Sequence, residues 1–67
     1  MITLTVNGSD RQVARDTDLA ELLTLLSLSP SLVVAELNGV LVAREKFAET
    51  LFNNGDRLEL VTVVGGG

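Results

Sequence analysis

The sequence predicts an α+β fold: a four- to five-stranded mixed sheet with one main helix packed on one face. Three observations predict it. Short runs that alternate apolar and polar residues recur along the chain, as half-buried strands require. Two Asn-Gly pairs, Asn7-Gly8 and Asn38-Gly39, join such runs as tight hairpins. One leucine-rich stretch between Leu19 and Leu26 carries helical spacing.

Ile2-Thr3-Leu4-Thr5-Val6 alternates strictly, so Ile2, Leu4 and Val6 share a buried face. Asn7-Gly8 suits a type I′ turn, whose two central residues need positive φ. Arg11 to Arg15 is expected to return as the second strand, with Val13 inward. Asp16-Thr17-Asp18 opens the helix, with Thr17 or Asp16 as cap and Glu21 within capping-box reach. Acidic residues there also suit the positive end of the helix dipole. Leu19, Leu22, Leu23 and Leu26 form the buried stripe, while Leu25 and Leu28 fall at its border or in the exit. Pro30 ends the helical stretch at or before Ser29.

Val33 to Leu37 reads as a third strand with Val33, Ala35 and Leu37 on one face, and Val40-Leu41-Val42 as a short fourth. Arg44 to Leu51 suits a brief helical turn in which Phe47 or Leu51 plugs one end of the core. Asn53-Asn54-Gly55-Asp56 is a turn in which Asp56 is expected to be structural. Arg57 to Val63 is the last strand, with Leu58 and Leu60 toward the helix and Val61 and Val63 away from it. The order is strand, strand, helix, strand, short strand, strand. A hairpin, a helix crossing over one sheet face, and a returning terminal strand make a ubiquitin-like β-grasp layout. That layout places the two terminal strands side by side and parallel.

Composition narrows the chemistry. The chain has 67 residues, 46% of them hydrophobic, so it suits one small folded domain with an aliphatic core. It has neither Cys nor His. Thiol catalysis, zinc fingers and iron–sulfur clusters are excluded, as are the usual general base and commonest metal ligand. Nine acids against five bases leave a net charge of −4, which argues against nucleic acid and suits a partner with a basic face. No run approaches the length of a membrane span, no leader is expected, and the expected location is the cytoplasm.

Half of the six glycines stand together as Gly65-Gly66-Gly67, directly after the last apolar run. Glycine has no Cβ, so this stretch is thin and suits passage through a narrow channel. The expected organisation is a domain over residues 1–63 and a flexible glycine tail over 64–67. A frayed, incidental end is the plainer reading of the same residues.

Four stretches carry a family resemblance: Met1-Ile2-Thr3-Leu4-Thr5-Val6-Asn7-Gly8; Leu37-Asn38-Gly39 followed by Arg44; Asn54-Gly55-Asp56-Arg57-Leu58-Glu59-Leu60; and Val63-Val64-Gly65-Gly66-Gly67. Through them the chain resembles the ThiS-like sulfur carrier proteins of thiamin biosynthesis, over nearly its whole length. Two departures stand out: Ala43 occupies a position where many such sequences carry Pro, and the tail has three glycines where two are required.

The resemblance implies a carrier and not an enzyme. It implies no bound cofactor, and MgATP used by a ThiF-like adenylating partner to convert the Gly67 carboxylate to an acyl adenylate. A persulfide donor then supplies sulfur, leaving a thiocarboxylate that a ThiG-like thiazole synthase consumes. Gly67 is the covalent site, and Gly65 and Gly66 thread the tail. The absence of Cys and His agrees with a carrier whose own side chains do no sulfur chemistry.

The outward residues beside the tail, Val34, Glu36, Glu59, Val61 and Val63, form a candidate docking patch with apolar contact inside and acids at its rim. The competing reading is that β-branched residues favour strands wherever they sit. Arg44 and Lys46 read as solvated surface. Rival functions are a molybdopterin-synthase small subunit or another thiocarboxylate donor, a ubiquitin-like protein modifier, and a plain β-grasp binding module.

Overall fold

The computed structural model describes residues 1–63; the expected tail, 64–67, lies outside them. Five strands form one mixed sheet: β1 (Ile2–Val6), β2 (Ser9–Val13), β3 (Val33–Leu37), β4 (Val40–Val42) and β5 (Arg57–Thr62). Their order is β2-β1-β5-β3-β4. One α-helix, α1 (Leu19–Leu25), covers one face, and two 3₁₀ segments, Pro30–Leu32 and Arg44–Glu49, flank β3 and β4. The terminal strands β1 and β5 pair in parallel, while β1–β2, β3–β4 and β3–β5 pair antiparallel. This is the mixed β-grasp sheet that the element order predicts.

Both hairpins have two-residue turns with positive φ at each centre: Asn7 50° and Gly8 84°, Asn38 53° and Gly39 84°. The first turn pairs Val6 with Ser9, so β2 runs from Ser9 to Val13 and not from Arg11 to Arg15. A two-residue turn leaves no slack to delay the return strand. Within β2 only Val13 is buried, and exposed Asp10 and Arg11 guard this sheet edge.

The helix is capped by Asp18, not by Thr17 or Asp16: its Oδ1 accepts from the Glu21 N–H at 2.8 Å. Thr17 is instead buried, and its N–H reaches the Ala14 carbonyl. Leu19, Leu22 and Leu23 are buried as expected, but Leu26 is only half-buried because the helix stops there. The stop is a Schellman motif. Ser27 sits at φ 60°, its N–H bonds the Thr24 carbonyl, and the Leu28 N–H bonds the Leu23 carbonyl. The motif turns Leu28 back onto the core, although the residue lies off the helical stripe.

Leu4, Leu19, Leu22, Leu23 and Leu58 are the largest fully buried side chains. Phe47 is buried from the second 3₁₀ segment, whereas Leu51 is exposed. Phe52, to which the sequence reading gave no place, is also buried. The second 3₁₀ segment is tied to the helix start by the Leu19 N–H to Thr50 carbonyl bond. Arg44 is not merely solvated: its guanidinium donates to the carbonyls of Pro30 and Ser31 and pins the first 3₁₀ segment at the entry to β3. Lys46 is solvated, with an exposed Glu49 partner at 3.4 Å. Among the described residues no helix is long and apolar enough to cross a membrane.

Candidate functional site

The site follows from how β5 is held. Its two long edges face different neighbours, alternating by residue. On one side the Asn38 N–H donates to the Arg57 carbonyl and the Val63 N–H donates to the Leu32 carbonyl at 2.7 Å, so odd-numbered residues pair with β3 and its extensions. On the other side the Asn7 N–H donates to the Leu58 carbonyl, so even-numbered residues face β1.

The side chains of the two turn asparagines extend these ladders. The Asn7 carboxamide accepts from the Leu60 N–H at 2.7 Å and donates to the Leu60 carbonyl at 3.1 Å. Asn38 accepts from the Arg57 N–H through its Oδ1 and donates to the Asp56 carboxylate through its Nδ2. The other carboxylate oxygen of Asp56 accepts from the Asn53 N–H, which makes Asp56 the structural residue that the turn pattern predicts. Thus the two hairpin turns, Asn7-Gly8 and Asn38-Gly39, grip the strand that leads to the glycines. Sequence reasoning missed this second role. The only signal for it is that both turns carry Asn where a type I′ turn accepts other residues as well.

Register places the expected docking residues together. Val34 lies opposite Val61, and Glu36 lies opposite Glu59. Leu58 and Leu60 are buried beneath them, facing the helix. On the outer face Val34 is 42% exposed, Val61 62% and Val63 51%. Val63 stands just past the end of β5 rather than inside it, yet its N–H bond to Leu32 keeps the alternation going. Two further apolar residues extend the patch: exposed Leu32, and exposed Leu41, which lies opposite Glu36 on β4. Leu41 was legible in principle, because the Asn38-Gly39 turn alone fixes its partner. The remainder of this face, Thr3 and Thr5 with Gln12 and Asp10 opposite them, is polar. The sheet therefore presents an apolar half along β5, β3 and β4 and a polar half along β1 and β2.

The acids within the apolar half face each other across β3 and β5. Like charges directly opposite are unfavourable in a sheet. Arg57 relieves Glu59 only weakly, at 4.0 Å between exposed groups. The pair thus concentrates negative charge beside exposed valines, an arrangement that a basic partner surface would relieve. Gly65, Gly66 and Gly67, the expected threading and covalent residues, lie outside the described residues.

Comparison with known proteins gives consistent matches. The model of the ThiS family matches residues 4–67. The uncharacterized protein ycf40 of Pyropia yezoensis is 35% identical over 66 residues, covering 98% of this chain and 93% of that protein. A thiazole synthase of Paramagnetospirillum magneticum is 33% identical over 64 residues, covering 96% of this chain and 20% of that protein. The crystal structure of the thiamine biosynthesis protein ThiS from Geobacter metallireducens superposes with a TM-score of 0.82 at 38% identity, covering 98% of this chain and all of that one.

Proposed function

This chain belongs to the ThiS family, and on that premise we propose that it carries sulfur for thiamin biosynthesis on the carboxylate of Gly67. The observation that carries the reading is the run Val63-Val64-Gly65-Gly66-Gly67 directly after β5, a strand gripped by β1 and Asn7 on one side and by β3 and Asn38 on the other. A strand held on both sides in this way fixes the position of its last residue, Thr62.

In this reading the Gly67 carboxylate attacks the α-phosphorus of ATP in an adenylating partner and releases pyrophosphate. The mixed anhydride gives the acyl carbon a good leaving group, which a free carboxylate lacks. The outer sulfur of a persulfide displaces AMP, and a thiol then cleaves the S–S bond to leave a thiocarboxylate. Thiazole synthase consumes that sulfur. The likeness of this chain to one-fifth of a thiazole synthase supports the pairing, since that protein holds a stretch of this kind within its own length. Gly65 and Gly66 let the tail pass between the partner's walls. The Val34, Val61 and Val63 surface supplies apolar contact, and Glu36 and Glu59 steer toward basic groups.

The test is intact-mass analysis of the protein purified from its own cells. The carrier shows a form in which one sulfur replaces one oxygen, located at Gly67 by fragmentation. Covalent ladders linking the chain to other proteins through Gly67, with no such sulfur form, contradict it.

A further inference from the structure

β1 ends before β5 does. Its parallel pairing reaches Val6 opposite Leu58, and the Asn7 carboxamide continues it to Leu60. The chain then turns away through Gly8 into β2. Thr62 is the next residue of β5 whose backbone faces that side, since Val61 and Val63 face β3. Its N–H and C=O point to the space that β1 has left, where no described residue pairs with them. Directly on the helix side of this gap is an open groove of about 370 Å³. Val6, Leu26, Leu28 and Leu60 form its apolar lining, and Asn7, Ser9, Arg11 and Thr62 its polar walls. Leu26 and Leu28 come from the Schellman exit of α1, so the groove exists because the helix stops after Leu25.

We propose that this notch receives an extended strand of the adenylating partner, which pairs with Thr62 and sets an apolar side chain into the groove. The inference rests on the carrier reading above and specifies how the partner grips the carrier. An N–H and C=O that no described residue pairs, beside a partly apolar groove, are what an added strand recognises: main-chain bonds give affinity and the groove selects the side chain. The length of the tail points to the same occupant. Gly67 stands four residues beyond Val63, a reach of about 13 Å at full extension. A protein that acts on Gly67 therefore brings its surface up to the end of β5. Asp10 and Arg11 guard the β2 edge, and Arg11 also lines the groove, where it is the one charged residue among the lining.

The test uses the full chain made by semisynthesis with an N-methyl group on the Thr62 amide, and a second, recombinant chain with Ser9→Trp, an exposed groove position. Both are assayed with the adenylating enzyme by ATP–pyrophosphate exchange. The proposal expects KM for the carrier to rise roughly tenfold in each, with kcat and the melting temperature of the carrier unchanged, because no described residue accepts from the Thr62 N–H. Unchanged KM in the N-methylated chain overturns it, as does a large loss of melting temperature, which would place that N–H in an internal bond. If the unmodified chain itself supports no exchange, the carrier reading falls and this inference falls with it. Normal exchange with an indifferent methyl group overturns this inference alone.

Discussion

Asn7 supplies Leu60 with both hydrogen bonds that a neighbouring strand would supply, at 2.7 and 3.1 Å, across 53 residues of sequence. A residue that looks like turn chemistry thereby fastens the strand that precedes the glycines. Asn7→Gly keeps the positive φ of the turn without strain and removes only the carboxamide. It is expected to cost about 2 kcal/mol, from two part-buried bonds, measured as a lower urea midpoint at unchanged slope. A loss indistinguishable from zero would mean that the carboxamide does not hold β5.

Ser27 adopts φ 60° at the residue after the helix cap, a region unfavourable to side chains with a Cβ. Ser27→Gly is expected to stabilise the domain by about 1 kcal/mol, seen as a higher melting temperature. Both Schellman hydrogen bonds survive, since they are made by backbone groups.

Gly66→Val and Gly67→Val are expected to leave folding intact, since neither residue precedes the end of β5, and to abolish adenylation by blocking the tail's passage. Circular dichroism checks the first expectation and pyrophosphate exchange the second. Full exchange by either variant would remove the steric argument for the glycines.

Val34 and Val61 face each other on the exposed side of the sheet. Changing both to Ser is expected to lower stability by no more than about 1 kcal/mol each while raising KM for the adenylating partner roughly tenfold. An unchanged KM assigns these valines to strand preference alone.

Glu21 sits fully exposed in the first turn of α1, and its carboxyl is held above the usual glutamate range. The main cause is a side-chain hydrogen bond with Asp18, followed by the Asp18 charge. A carboxyl with a raised folded-state pKa contributes stability below its unfolded value and loses it as pH rises through the folded value. Glu21→Gln keeps a neutral donor at all pH. It is expected to remove this small loss between acid and neutral pH, seen as a flatter profile of melting temperature against pH. A profile identical to that of the parent chain would count against the Asp18 contact.

Much of this molecule was legible before folding was considered in three dimensions. The alternation in β1, β3 and β5 named the buried face, and Leu19, Leu22 and Leu23 named the helix stripe. The outward position of Val34, Glu36, Glu59, Val61 and Val63 followed from period two alone. These are local properties, set by residues a few positions apart. The cap at Asp18, the start of β2 and the half-burial of Leu26 differed from expectation by one to two residues or by degree, because caps and turns decide ends that periodicity leaves loose. Tertiary structure alone decided the rest. Leu28 and Phe52 found the core through backbone reversals that carry no period. Arg44 reached Pro30 and Ser31, Asn38 reached Arg57, and Asn7 reached Leu60 because the sheet order set them side by side. A polar side chain advertises its capacity to hydrogen-bond, not its partner. The partner is chosen by strand order, which is a global outcome of burying one face of the sheet under one helix.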